Sequence, residues 1–186
     1  ASLNSISLHS LLLTFLVHET RRRTGKQNVI IGTGISHQIP SHESVVGLFV
    51  NLVPVYFAKQ EDAENLSQEF KITQNCMGEI GEHSKLPYAE IIGAFRIRNP
   101  QIRPRRTGLF DIAFTANPSR YNDDADNNIT LKPWRRNTDV LHPAAGLELA
   151  FHHEKLADGS LELGLAWSPD VYHEETARDW LIGFVG

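Results

Sequence analysis

Two adjacent histidines, His152 and His153, stand shortly before the dipeptide Asp158-Gly159. Paired histidines ahead of Asp-Gly can mark acyl-transfer catalysis, in which an imidazole acts as a base. Here apolar residues alternate with polar or small ones on both sides, which predicts two strands, and Asp-Gly is a strong signal for the turn between them. Adjacent side chains of a strand point to opposite faces. The pattern therefore favours a hairpin over a catalytic site that uses both histidines.

The remaining histidines lack the close spacing of metal-binding motifs such as His-Glu-x-x-His. The segment Asp124-x-Asp126-x-Asn128 begins like a calcium loop, but Ile129 stands where that loop needs glycine and no acidic residue closes it. We expect a solvated loop and no metal site from local spacing, while a site assembled from distant histidines stays open. The histidines concerned are His9, His18, His37, His42, His83, His142 and His173.

Two further local patterns indicate turns or packing rather than chemistry. Gly32-x-Gly34 lacks the third glycine of a dinucleotide-binding loop, because His37 occupies that place, so it is interpreted as a turn. Cys76 is predicted in the middle of a helix, without a helix N-terminus or basic cluster to activate its thiol. We expect it to be a small packing residue.

Arginine clusters at 21–23, 103–106 and 135–136 have two interpretations. Guanidinium groups form paired hydrogen bonds to phosphate, so the clusters are candidates for a phosphate site. Alternatively they lie on solvated faces, which the net charge of −4 favours.

The composition is that of an ordinary folded domain. The 186 residues are 41% hydrophobic and 22% charged, which excludes a wholly disordered or fibrous chain. The negative charge argues against a general nucleic-acid binder. A single cysteine excludes an intrachain disulfide framework and suits the cytoplasm. The longest apolar run, 11–17, is too short to cross a membrane, so no membrane partner is expected.

Apolar spacings of three and four predict helices, and apolar alternation or short apolar runs predict strands. The predicted helices run from a cap at Ser5 or Ser7 to a stop at Gly25, from Leu66 to an end near Gly78 or Gly81, over 87–95 and over 176–184. The predicted strands lie at 28–31, within 45–57, at 109–115, at 129–134 and in the hairpin 147–167. Pro54 argues against a central position for its strand. The order predicts an α/β or α+β two-layer sandwich with a mixed sheet and helices on one face.

Residues 44–55, Ser-Val-Val-Gly-Leu-Phe-Val-Asn-Leu-Val-Pro-Val, resemble the V-G-x-F-V-N-T-L-P-L motif of nonribosomal peptide synthetase condensation domains. The flanking segments agree in order: residues 24–33 are similar to T-G-Q-x-D-V-V-V-G-T, and residues 83–88 resemble H-Q-D-L-P-F. Residues 103–110 resemble R-D-x-S-R-N-P-L-F more weakly. The resemblance extends over nearly the whole chain.

The resemblance implies a functional unit larger than this chain. Condensation domains consist of two similar lobes of the chloramphenicol-acetyltransferase-like fold, and their catalytic H-H-x-x-x-D-G motif lies in the N-terminal lobe. The stretch 152–159 has one residue too many for that motif and lies at the wrong end of the order. Residues 1–186 are therefore identified as the C-terminal lobe, with the catalytic lobe absent and no catalytic residue in the chain.

The activity implied is amide formation between a carrier-bound thioester and an amine acceptor, in a tunnel between the lobes. This lobe would supply a tunnel wall and a carrier-facing surface, would be inactive alone, and would bind no cofactor directly, since both substrates travel on phosphopantetheine arms of carrier domains. Its partners would be the N-terminal lobe and peptidyl or acyl carriers. Candidates for the wall or the lobe interface, for each of which simple packing is the alternative, are Gly47, Phe49, Val50, Asn51, Tyr56, His83 and Pro87.

Tyr56 departs from the family pattern. Condensation domains usually carry an arginine there, which pairs with the aspartate of the catalytic motif, and tyrosine cannot form a bidentate ion pair. The alternative function is therefore a non-catalytic condensation-like platform that binds a carrier or another protein. In either case an isolated lobe should expose an apolar face and self-associate.

Overall fold

The computed structural model describes residues 6–37, 45–59, 65–101, 108–117, 146–156 and 158–185. These residues form four helices and five strands. In chain order they are α1 (Leu8–Thr24), β1 (Val29–Ser36), β2 (Val50–Phe57), α2 (Leu66–His83), α3 (Tyr88–Arg98), β3 (Ile112–Asn117), β4 (Leu149–Lys155), β5 (Leu161–Trp167) and α4 (Glu174–Val185). Outside the described residues lie the predicted strand at 129–134, the calcium-like loop at 124–128, and the arginines at 103–106 and 135–136.

The five strands form one mixed sheet in the order β2-β1-β3-β4-β5. The three inner strands are parallel, and each outer strand is antiparallel to its neighbour. The core lies between one face of this sheet and helices α1, α2 and α4, where residues such as Leu13, Phe114 and Phe184 pack together. We call this side of the sheet the helix-covered face. The predicted α+β architecture with a mixed sheet is confirmed.

Local signals set the ends of α1. The hydroxyl of Ser7 accepts a hydrogen bond from the Ser10 backbone N–H, which caps the first turn. Gly25 ends the helix with a φ of 70°, a left-handed conformation that glycine adopts without steric penalty. Of the two predicted caps, Ser7 is therefore the one used.

Of the two predicted ends of α2, the one near Gly81 is confirmed, because the helix passes through Gly78 and ends two residues beyond Gly81, at His83. Each interior glycine costs about 1 kcal/mol of helix propensity, and packing of Met77 and Ile80 against the core outweighs that cost. The helix ends where the Ser84 hydroxyl donates to the Gly81 carbonyl oxygen.

The turn predicted at Gly32-x-Gly34 is wrong, since both glycines lie within β1. Their lack of side chains serves packing instead. A Cβ atom on Gly32 would lie 2.1 Å from the ring of Phe110, so the glycine makes room for that ring on the face opposite α1, α2 and α4. The Phe110 ring also contacts the ring of Tyr88 at the start of α3, a helix in which no residue is buried.

Two strand predictions are confirmed. Strands β4 and β5 form the hairpin, and Gly159 in its turn has a φ of 85°. Among the described residues β2 is an edge strand, as Pro54 indicated. No helix in the described part of the chain has the length and apolar character to cross a membrane.

Candidate functional site

The segment that resembles the V-G-x-F-V-N motif lies at the edge of the sheet where β1 ends and β2 begins. The backbone N–H of His37 donates to the Phe49 carbonyl oxygen at 2.7 Å, which extends the ladder between the two strands. Just before this point Val46 is fully exposed and Leu48 is 91% exposed. We call residues 45–51, together with the turn at 83–88, the motif edge.

Asn51 joins the two parts of the motif edge. Its side-chain amide donates to the Ser84 carbonyl oxygen at 2.7 Å and to the Leu86 carbonyl oxygen at 2.8 Å. The ring Nε2 of His37 donates to the same Ser84 oxygen at 3.0 Å. The backbone between α2 and α3 is therefore held against the start of β2 by three side-chain hydrogen bonds.

The other candidates at the motif edge lie close to this clamp. A Cβ atom on Gly47 would lie 3.2 Å from the Phe49 ring, so glycine allows the ring to fold back over the loop. Val50 is exposed at the first position of β2. His83 is exposed in the last turn of α2, and Pro87 caps α3, where its carbonyl oxygen accepts from the Glu90 N–H at 2.9 Å. Six of the seven predicted candidates therefore share this edge.

Tyr56, the seventh candidate, lies away from the motif edge. It lies six residues beyond Val50 along β2, which corresponds to about 20 Å at 3.3 Å per residue. Its side chain is 58% exposed, and its cross-strand partner is Ile30. Because Val55 and Phe57 on either side are buried in the core, Tyr56 faces away from the helices.

A buried polar chain on the helix-covered face was not predicted. Nε2 of His153 and Nδ1 of His9 are 3.0 Å apart, and Nε2 of His9 lies 3.0 Å from the Thr33 hydroxyl. That hydroxyl donates to the Phe114 carbonyl oxygen at 3.0 Å. The predicted opposition of the adjacent histidines is confirmed, since His152 packs over Gly164 on the other face.

Burial lowers the proton affinity of both histidines in the buried polar chain. It lowers the pKa of His9 to about 4, with a smaller contribution from the neighbouring His153. Burial also lowers the pKa of His153. The spacing of His9 from Leu12, Leu13 and Leu16 was the available sign that this histidine faces the core. Among the described residues no three potential metal ligands come together.

The arginines of α1 act within the fold. Arg21 donates to the Gln27 and Ala58 carbonyl oxygens at 2.8 and 2.7 Å. Arg22 and Arg23 both pair with the buried carboxylate of Glu19. These bonds occupy the guanidinium groups, which argues against a phosphate site at 21–23. Cys76 packs partly buried against the core, and burial raises its thiol pKa, in keeping with the predicted packing role.

Comparisons with known proteins identify the family and the fold of the chain. Residues 1–185 match the condensation domain family. A plipastatin synthase polypeptide of Bacillus subtilis (strain 168) is 22% identical over 179 residues, which are 96% of this chain and 7% of that protein. The fold is similar to the condensation domain of the Monacolin K polyketide synthase MokA, with a TM-score of 0.72 and 16% identity over 95% of this chain and 39% of that one.

A second solved structure, the X-domain from teicoplanin biosynthesis, gives a TM-score of 0.69 and 17% identity over 96% of this chain and 40% of that one. The chain thus spans about two fifths of each of these structures. The mixed sheet and its helices agree with the expected chloramphenicol-acetyltransferase-like fold. The match over residues 1–185 establishes that the chain belongs to the condensation domain family.

Proposed function

We propose that the chain is the C-terminal lobe of a nonribosomal peptide synthetase condensation domain and supplies one wall of the tunnel in which an amide bond forms. A carrier-bound thioester is the donor and a carrier-bound amine is the acceptor. The N-terminal lobe contributes the catalytic H-H-x-x-x-D-G motif, and the chain is inactive without it.

The observation that carries this proposal is the exposure of apolar side chains at the motif edge. Val46 and Leu48 are almost wholly in solvent, although they belong to the segment with the most specific family resemblance. Exposed apolar clusters of this kind mark surfaces that another polypeptide or a ligand covers. The motif edge is therefore the side of the lobe that meets the tunnel and the partner lobe.

The proposed chemistry asks mainly for positioning. A thioester is already activated, so holding the two pantetheine arms in line supplies much of the acceleration. The Asn51 clamp suits this task, because two hydrogen bonds to backbone carbonyl oxygens fix the turn beside the exposed segment. Gly47 and Phe49 shape the loop, while His83 and Pro87 flank the turn.

The test is amide formation by the intact two-lobe domain, followed by mass spectrometry with donor and acceptor loaded on their carriers. Leu48→Asp should slow the reaction at least tenfold, because it places a charge on the tunnel wall. Ile182→Asp is the matched control, since Ile182 is 62% exposed on α4, and should stay within twofold. Absence of product from an unaltered domain that carries the catalytic motif would overturn the enzymatic function.

The same surface accounts for the expected behaviour of the 186-residue chain on its own. We expect concentration-dependent self-association in analytical ultracentrifugation, with the double variant Val46→Asp/Leu48→Asp returning the chain to a monomer. A monomeric unaltered chain at all concentrations would argue that the motif edge needs no cover.

A second candidate function is a non-catalytic platform that binds a carrier or another protein, and Tyr56 favours it. The tyrosine hydroxyl cannot replace the bidentate arginine that the family pairs with the catalytic aspartate. Carrier capture by the intact domain without amide formation would support the platform. A rise in amide formation in Tyr56→Arg would instead show a weakened enzyme.

A further inference from the structure

The buried polar chain connects the first turn of α1 to three strands. His9 is the second residue of α1, and its ring stacks on Phe114 with centroids 4.8 Å apart. Its two ring nitrogens bond to His153 in β4 and Thr33 in β1. The hydroxyl of Thr33 continues to the carbonyl oxygen of Phe114 in β3. One imidazole therefore bridges the beginning of the helix to the middle of the sheet.

The carbonyl oxygen of Phe114, the last acceptor of the buried polar chain, determines the direction of the hydrogen bonds before it. A carbonyl oxygen carries no hydrogen, so the Thr33 hydroxyl must donate to Phe114 and can only accept from His9. When both rings are neutral, His9 is therefore protonated at Nε2 and unprotonated at Nδ1, and Nδ1 accepts from Nε2–H of His153. With both imidazoles neutral, both must be Nε2–H tautomers. A single added proton also fits, and the positive charge then lies on His153 or, if the hydrogen between the rings moves to Nδ1 of His9, on His9.

The neutral His9–His153 pair can bind two further protons, and they bind at different nitrogen atoms. The first can bind Nδ1 of His153, the remaining lone pair of the two rings, and leaves all three hydrogen bonds in place. The second must bind Nδ1 of His9, where it faces the hydrogen of His153 across 3.0 Å. Two donors cannot share that gap, so the second proton separates the rings.

The surroundings offer little compensation for positive charge. His9 lies at the N-terminal end of α1, where the helix dipole is itself positive. On β1 and β3 it meets a hydroxyl and an aromatic ring, and Phe184 of α4 packs against that ring. From α2, the neutral side chain of Gln74 bonds to the N-terminal cap of α1.

Charged groups near the pair act from the opposite face of the sheet. After burial, His152, adjacent on β4, also lowers the pKa of His153. Burial lowers the pKa of His152, while Glu162 of β5 and Glu154 of β4 raise it. Within the described residues no carboxylate forms an ion pair with His9 or His153. Protonation of the pair is therefore opposed by burial, by the helix dipole and by the neighbouring His152.

We propose that the His153–His9–Thr33 chain is a proton-operated lock, which holds the first turn of α1 on the sheet near neutral pH and releases it in acid. Because the pKa of His9 falls from 6.5 to about 4 on folding, the open form binds more protons between these values. The contribution of His9 to holding the first turn of α1 on the sheet is thus complete above pH 6.5. It is lost progressively as the pH falls from 6.5 toward 4.

Hydrogen exchange of the 186-residue chain tests the lock, with mass spectrometry following peptides from residues 8–16. After correction for the intrinsic exchange rate, opening should increase roughly 40-fold between pH 6.5 and 4.5, as one proton linked to a pKa shift from 6.5 to about 4 requires. The His9→Gln variant keeps an amide donor for Thr33 without a titrating group, and should change less than threefold.

Two further measurements separate a lock from general acid sensitivity. His173→Gln removes an exposed histidine of the loop before α4 and should retain the wild-type pH dependence. Nitrogen chemical shifts of ¹⁵N-labelled histidine should show His9 and His153 as Nε2–H tautomers at pH 7.5, a readout that needs no variant to fold. A flat profile in the unaltered chain, an equal pH response in His9→Gln, or an Nδ1–H tautomer at His9 would each overturn the proposal.

Discussion

The helix-covered face and the motif edge use polar and apolar side chains in opposite ways. On the covered face, His9 is half-buried and Thr33 is fully buried, and the polar atoms of both have hydrogen-bond partners within the chain. At the motif edge, Val46 and Leu48 are exposed, while the polar Asn51 fixes the backbone beneath them. One region thus buries and pairs its polar groups within the chain, whereas the other leaves apolar side chains in solvent, as expected if a partner covers them under the proposed function.

Truncation of an aromatic residue should give the largest contrast between these regions. Phe151 is fully buried and contacts the rings of Trp180 and Phe184, so Phe151→Ala should lower the free energy of unfolding by about 3–5 kcal/mol in urea denaturation. Leu48→Ala should change it by less than about 0.5 kcal/mol. A comparable loss at Leu48 would mean that the motif edge belongs to the core.

An isosteric change tests the clamp at the motif edge. Asn51→Asp replaces two donated hydrogen bonds by a carboxylate facing two carbonyl oxygens, and should destabilise the chain by about 1–3 kcal/mol at pH 7.

The matched control for the clamp is Asn65→Asp, because that side chain accepts a hydrogen bond from Gln68 N–H at the start of α2. Aspartate caps a helix as well as asparagine, so the expected change is below about 0.5 kcal/mol. Equal effects of the two substitutions would show that general charge, rather than the clamp, determines the result.

Two glycine-to-alanine substitutions should have opposite signs. A Cβ atom on Gly183 in α4 would lie 2.1 Å from the Glu19 carboxylate, which Arg22 and Arg23 hold in place. The steric conflict of about 1–3 kcal/mol exceeds the gain in helix propensity, so Gly183→Ala should destabilise by about 1 kcal/mol.

In α3, by contrast, no atom lies within 4 Å of a Cβ atom placed on Gly93. Gly93→Ala should therefore stabilise the chain by about 0.5–1 kcal/mol, measured in the same unfolding experiment. Destabilisation by Gly93→Ala would indicate that α3 is packed more closely than its lack of buried residues implies.

Predictions from sequence succeeded where the signal is local. The cap at Ser7, the left-handed Gly25 and the Asp158-Gly159 turn each depend on a few neighbouring residues. The resemblance to condensation domains likewise depends on short motifs in the right order, and the family match bears it out. It grouped seven candidates, of which six lie at the motif edge and Tyr56 does not.

Predictions failed where distant residues decide the outcome. Gly32 signals a turn in isolation, but it lies within β1, where its lack of a side chain leaves room for the ring of Phe110. His9 and His153 are 144 positions apart, so no spacing rule connects them. The partners of Asn51, which lie 33 and 35 residues away, were equally hidden, although the family motif identified the residue itself.

The proline in β2 also limits how copies of this chain can assemble. The His37–Phe49 hydrogen bond sets the alternation of the ladder, so the Gly32–Pro54 pair is a non-hydrogen-bonded one and the Pro54 nitrogen points away from β1. A strand added along this edge would lack a donor midway. Self-association of the lobe should therefore proceed through side chains at the motif edge, giving reversible oligomers in place of a sheet that grows from copy to copy.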